Sequence, residues 1–181
     1  ALGKSEGSAA CLVGASGVGK RTIVREVARA LEEGPRPKTV MAVSGSSLLS
    51  GTIARGSLAE RMHQLFDEVR RHEDLVIYLE DLGTLVGQDG GGELGELKTS
   101  LDRGAFPMIA VATPEEYKRW VTREPGLARA MVRIDVDELP REHVITAVGS
   151  GAARLEAHHE LTIGTACIEG VVTMTSRYMR D

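Results

Sequence analysis

Aromatic residues are scarce in this sequence, 3% of 181 residues, so a hydrophobic core has to be assembled from Val, Ile, Leu and Ala. Asparagine is missing altogether, which excludes the Asn-Lys-x-Asp motif that reads guanine. Basic residues are not in excess: 22 Lys and Arg stand against 26 Asp and Glu, for a net charge of −4. A general nucleic-acid surface carries a basic surplus, so no nucleic-acid partner is expected. The two cysteines, Cys11 and Cys167, sit in apolar stretches without metal-ligand spacing. They are expected as buried thiols in a reducing compartment. His63, His72, His143, His158 and His159 share no metal spacing either and read as solvated side chains. No apolar run approaches the roughly 18 residues that span a bilayer, and the N-terminus lacks a charged-then-apolar leader pattern. No membrane contact is expected, and the expected location is the cytoplasm. The chain starts shortly before its main motif, as expected of a piece of a longer protein. What remains is ordinary for a soluble domain with a small appendage: 42% apolar and 27% charged residues.

Apolar patterning alternates between two element types. Ala9–Val13, Thr39–Val43, Leu75–Leu79, Met108–Ala112 and Val132–Val136 are short apolar runs, each read as a buried strand. Between them, Thr22–Leu31 and Leu58–Arg71 carry apolar residues at helical spacing. Gly34-Pro35 ends the first of these helices. Ser44–Ser57 reads as a loop, Gly87–Gly95 as a mobile glycine-rich loop and Leu94–Leu101 as a short helix. Pro114 fits the first turn of a helix through Val121, and Pro140–Ala157 and Ile163–Met179 read as the last helices. Glu32-Glu33 and Glu115-Glu116 read as exposed faces or caps. Strands alternating with helices, without a hairpin signal, predict a parallel sheet with helices on both faces. Ligands of such sheets bind at the carboxyl ends of the strands.

The most informative motif is Gly14-Ala15-Ser16-Gly17-Val18-Gly19-Lys20, between the first strand and the first helix. Its glycines let the backbone wrap a phosphate with amide hydrogens pointing inward. Lys20 reaches the β- and γ-phosphates in such a loop, and the helix offers its positive end. The next residue should be Ser or Thr, whose hydroxyl holds Mg²⁺; here it is Arg21, with Thr22 one place late. A helix turns about 100° per residue, so Thr22 is expected to face away from a metal. Arg21 is read either as a fixed positive charge near the phosphates or as a solvated arginine. A bound nucleotide is therefore expected to depend little on Mg²⁺.

The third strand ends in Glu80-Asp81, an apolar strand finishing in acids, the Walker B pattern. In ATPases of this type the first acid is usually Asp, supporting Mg²⁺, and the second Glu, polarising the attacking water. The order is reversed here. General-base geometry tolerates little displacement, so hydrolysis is expected to be slow.

From about Cys11 to Tyr178 the sequence resembles the first ATPase module of Clp-type AAA+ unfoldases and disaggregases (the ClpA, ClpB and ClpV group). The resemblance is carried by the Gly-x-x-Gly-Val-Gly-Lys loop, Leu82-Gly83-Thr84-Leu85-Val86-Gly87, Leu101-Asp102-Arg103-Gly104 and Ala112-Thr113-Pro114-Glu115-Glu116-Tyr117-Lys118. His158-His159 followed by the Ile163–Tyr178 helix also carries it. It implies a P-loop AAA+ fold with a five-stranded parallel sheet. Residues 1–138 would form the nucleotide-binding core and 139–181 the start of a helical lid. The implied cofactors are ATP or ADP with Mg²⁺, and the implied assembly is a homohexameric ring that acts on a protein client.

Site residues transfer by position. Residues Gly14 through Lys20, with Arg21 and Thr22, bind nucleotide. Glu80 supports the metal and Asp81 the attacking water, and Thr113 falls in the sensor-1 region. Arg129, within Leu127-Ala128-Arg129-Ala130-Met131, matches an arginine finger offered to the next subunit, while Ala130 replaces a second arginine. The loop that grips substrate in this family contains an aromatic; the matching stretch here is Ile53-Ala54-Arg55-Gly56. Two readings follow: an ATP-binding module with slow hydrolysis, or a catalytically degenerate scaffold that keeps the fold for ring assembly or protein interaction. Arg21, the exchanged acids, Ala54 and Ala130 favour the second.

Overall fold

The computed structural model describes residues 9–44, 58–80 and 107–179. The expected loop at 45–57, the glycine-rich loop and helix between 87 and 101, and Asp81 lie outside these residues. The chain divides into two compact units, Ala1–Val136 and Asp137–Asp181.

The first unit is built on five strands: β1 (Ala9–Val13), β2 (Thr39–Val43), β3 (Leu75–Leu79), β4 (Met108–Ala112) and β5 (Met131–Asp135). They form one parallel sheet in the order β2-β3-β4-β1-β5. Cys11 lies level with Ala110 on one side and Arg133 on the other. With no side facing water, β1 and β4 are apolar at every position and buried throughout.

Side chains two residues apart point to the same face of a strand, and the core splits accordingly. Ala9, Cys11, Val13, Ile77, Leu79, Met108, Ala110 and Ala112 pack on one face with Met62, Phe66 and Val69 of α2 (Leu58–Arg70). Leu12, Val76, Tyr78, Ile109 and Val111 pack on the other with Val24 of α1 (Lys20–Glu32). Helices thus cover both faces of a five-stranded parallel sheet, as the alternating pattern predicts. Strand ends and helix ends agree with the sequence reading within two residues, apart from the segment after Pro114.

That segment is not one α-helix. α3 (Pro114–Glu116) opens with Thr113 as N-cap and passes into a π-helical turn, Tyr117–Val121. Tyr117 and Val121, four residues apart, are both in the core. A short helix that the periodicity did not reveal, α4 (Pro125–Ala130), follows. Six residues are too few to display a helical repeat, and its start is marked only by Pro125.

The second unit consists of α5 (Arg141–His159) and α6 (Thr165–Tyr178). Arg141 donates to the Thr173 hydroxyl at 2.8 Å, and the Ile163 amide donates to Glu156 at 2.6 Å. Contacts between the start of one helix and the end of the other make the pair antiparallel. Ala152 and Val172 are its buried side chains. Cys167 was expected to be buried but is exposed. The apolar residues of α6 are spread around its circumference, with Val171 and Met174 also in water, so an apolar neighbourhood in sequence is not an apolar neighbourhood in space. No helix among the described residues is long and apolar enough to cross a membrane.

Phe66 is 1% exposed at the centre of the α2 face. Phe66→Ala is expected to cost about 3–5 kcal/mol, read as a lower urea midpoint with little change in slope. Val132→Thr on β5, where the side chain is 44% exposed, should cost less than about 0.5 kcal/mol. The Cys11 thiol gives a second test. Burial, reinforced by Glu116 and opposed by Arg133, pushes its pKa from 9.0 to about 12. The thiol therefore stays protonated and unreactive in the folded state. Alkylation at pH 8 should modify Cys167 alone, and both cysteines only in denaturant. The stability that comes from burying a neutral Cys11 is complete below pH 9 and is lost as the pH rises towards 12.

Candidate functional site

The loop after β1 begins in a tight place. The Gly14 amide donates to the Ala112 carbonyl at the end of β4 at 3.2 Å. A Cβ on Gly14 would run into the Val136 carbonyl oxygen and meet Val18 Cγ1 at 3.0 Å, so only glycine leaves β1 here without displacing the backbone after β5. Gly17 and Gly19 then turn the chain with φ of 75° and 100°, a region that disfavours L side chains.

Gly19 is the N-cap of α1, and no side chain caps that terminus. The first turn contains no acid; it begins with Lys20 and Arg21 instead. Exposed amides at a helix start attract anions, and here two cationic side chains reinforce them. Lys20 Nζ donates to the carbonyls of Gly14 at 2.8 Å and Ala15 at 2.7 Å, holding its ammonium across the loop.

Around this loop lies a cavity of about 500 Å³, lined by Ser16, Gly17, Gly19, Lys20, Arg21, Glu80, Val111, Ala112, Thr113 and Glu116. The strand order explains its position. From β1 the chain runs to β2 at one edge of the sheet, and from β4 it passes over β1 to β5 at the other. The two neighbouring strands send their connections in opposite directions, and a crevice opens at their carboxyl ends. Its size suits a small-molecule ligand.

Several expected site residues meet on this wall: Ser16, Gly17, Gly19, Lys20, Arg21, Glu80 and Thr113. Gly14, Ala15 and Val18 shape the loop behind it. Thr22 is exposed and does not line the cavity, in keeping with its place one step round the helix. Arg129 is also away from this wall: it is exposed, and its Nε donates to the Pro125 carbonyl at 3.2 Å.

Glu116 belongs to the cavity as well. Its carboxylate accepts the Thr113 amide at 2.7 Å, and its own amide donates to Thr113 Oγ1 at 3.2 Å. This reciprocal capping box fixes the Thr113 side chain on the wall. The signal was present in the sequence as Thr-x-x-Glu before an apolar segment, where Glu116 read only as a cap or an exposed face.

Mg²⁺ needs a near-octahedral set of oxygens. On this wall Glu80 is accompanied by a guanidinium at the position of the expected hydroxyl, and Thr113 and Glu116 are engaged with each other. Among the described residues no three His, Cys, Asp or Glu are grouped to hold a metal. Of the side chains expected at a Mg²⁺ site, this wall carries Glu80 and, at the place of the hydroxyl, the Arg21 guanidinium.

The family model for ATPases associated with various cellular activities (AAA) matches residues 10–138. The chain is similar to the ATP-dependent Clp protease ATP-binding subunit ClpE of Streptococcus pneumoniae, 32% identical over 94% of this chain and 24% of that protein. It is also similar to the chaperone protein ClpB of Oceanobacillus iheyensis, 30% identical over 94% of this chain and 22% of that protein. The chain thus spans about a quarter of the length of these curated relatives. Among solved structures it matches Hsp104 of S. cerevisiae in a complex with casein, with a TM-score of 0.84, 22% identity, and coverage of 98% of this chain and 32% of that one. That likeness concerns the fold.

Replacing Gly14 by Ala should cost about 1–3 kcal/mol through overpacking against the Val136 carbonyl, measured by thermal or urea unfolding. A Gly14→Ala variant as stable as the wild type would mean that the loop's entry is not the tight passage described here.

Proposed function

We propose that this chain, which belongs to the AAA family of ATPases, is the ATP- and ADP-binding module of a Clp-type chaperone or unfoldase-like protein. The observation that carries the reading is the convergence of the phosphate loop, Glu80 and Thr113 on one cavity at the switch point of the sheet. In this reading the amides of Ser16 to Lys20 and the Lys20 ammonium bind the phosphates. A phosphate oxygen is a stronger acceptor for Lys20 than the two loop carbonyls that it now bonds. Residues 1–138 act as the nucleotide-binding core and 139–181 as the beginning of a lid.

In hydrolysis Asp81 would polarise the attacking water, with Glu80 and Thr113 beside the phosphate loop on the cavity wall. Lys20 and the Arg129 of a neighbouring copy neutralise the charge that develops on the phosphates. This requires a ring of identical subunits, a hexamer by analogy with the family. A protein client fits the same analogy, since casein accompanies the yeast relative. The cytoplasm is the proposed location, and neither nucleic acid nor membrane is a proposed partner.

A degenerate scaffold without turnover is the second reading. The observation in its favour is Arg21 on the cavity wall in place of a metal ligand, together with exchanged acids at Glu80-Asp81 and single alanines at Ala54 and Ala130.

ATP turnover by the full-length protein, with Lys20→Ala beside it, separates the two. The enzyme reading expects turnover above background that falls at least about a hundredfold in the variant, as the loss of a key electrostatic group does. Equal rates in the two proteins would sink the enzyme reading. ATP binding without turnover would leave the scaffold, and absence of binding would remove the nucleotide as well.

A further inference from the structure

Arg21 follows Lys20 in the first turn of α1, where a P-loop normally presents the hydroxyl that holds Mg²⁺. Its side chain lines the cavity together with Lys20 and Glu80. The next hydroxyl, on Thr22, is exposed and off the wall. A guanidinium keeps its charge at every accessible pH, so it repels a divalent cation brought to the same corner. It also offers a rigid fork of N–H donors that matches phosphate oxygens.

Arg21 shares that wall with Glu80, the residue that follows the last position of β3 (Leu75–Leu79), so the guanidinium and the acid of the Walker B strand face one cavity.

We propose that Arg21 is a built-in substitute for the metal, so that the cavity binds free, metal-free nucleoside triphosphate with the guanidinium donating to its phosphate oxygens. The proposal rests on the nucleotide-binding reading above and names the ionic form of the ligand. Metal-free ATP carries more negative charge than its Mg²⁺ complex, and Lys20, Arg21 and the uncapped start of α1 together supply the compensation.

Calorimetric titration of the purified protein with ATP, in excess Mg²⁺ and in EDTA, tests it. The wild type is expected to bind with affinities that agree within about threefold in the two media. Arg21→Thr is expected to lose about tenfold or more in EDTA and to regain affinity with Mg²⁺. Arg21→Lys keeps a point charge without the fork and should stay metal-independent but bind more weakly. Thermal unfolding of each variant checks that the fold is retained; Arg21 is exposed, so the substitutions should be tolerated. A wild type that loses tenfold or more in EDTA overturns the proposal and leaves the nucleotide reading in place. An Arg21→Thr variant that matches the wild type in EDTA overturns it too. A wild type that binds ATP in neither medium overturns both.

Discussion

The site depends on how β1 leaves the sheet. Gly14 is bonded to the last carbonyl of β4 and pressed against the backbone that follows β5. The Val136 amide in turn donates to the Val13 carbonyl at 2.7 Å. Three neighbouring strand ends are thus tied together at one residue that has no side chain. The loop can close over a phosphate only because its base is held on both sides. The same tie sets where α1 begins and which side chains its first turn presents. The contacts that stabilise the fold are also those that aim Lys20 and Arg21, so substitutions here act on stability and on the site together.

Around that anchor, the two faces of the sheet have unequal demands. The α2 face is deep and filled by large side chains, Phe66, Met62, Ile77 and Leu79 among them, each contributing roughly 1.5–3 kcal/mol when fully buried. The α1 face is thinner. Among described residues Val24 is the buried side chain of α1, and Val132 and Ile134, on the same face of β5, remain 44% and 40% exposed. α1 is therefore held as much by its loop as by its packing.

Much of this was legible in the residues. Strands buried on both faces show as unbroken apolar runs bounded by turn residues, and Cys11 to Val13 leading into glycines is such a run. The phosphate loop was legible because its glycines have individual steric reasons: close approach at Gly14, positive φ at Gly17 and Gly19. Other features were hidden for equally physical causes. α4 is too short to display a period. The π-helical turn over Tyr117–Val121 has no local propensity signal in the sequence. Cys167 looked buried because its neighbours are apolar, but a two-helix unit has little interior to offer them. Glu116 was read as a cap or an exposed face and is a cap; its place in the cavity lining carries no sequence signal beyond the capping pattern itself. For Arg21 the sequence left two readings open, a charge near the phosphates or a solvated arginine, and the fold places it on the cavity wall with Glu80.

The departures from the family pattern are not independent of one another. Arg21 and Glu80 line the same cavity, whereas Ala130 belongs to α4 and does not line it. A metal site constrains its carboxylate tightly, because Mg²⁺ accepts oxygens only at fixed distances and angles. Once a guanidinium supplies the positive charge, that constraint falls away. The acid on β3 then has only to balance charge, which a longer Glu80 can do across a wider range of positions than an Asp. In the proposed reading the exchange of Glu80 and Asp81 is therefore compatible with Arg21 in the metal's place. On that same reading, Arg21 and Glu80 on one wall form a single electrostatic plan around the phosphates of a bound nucleotide.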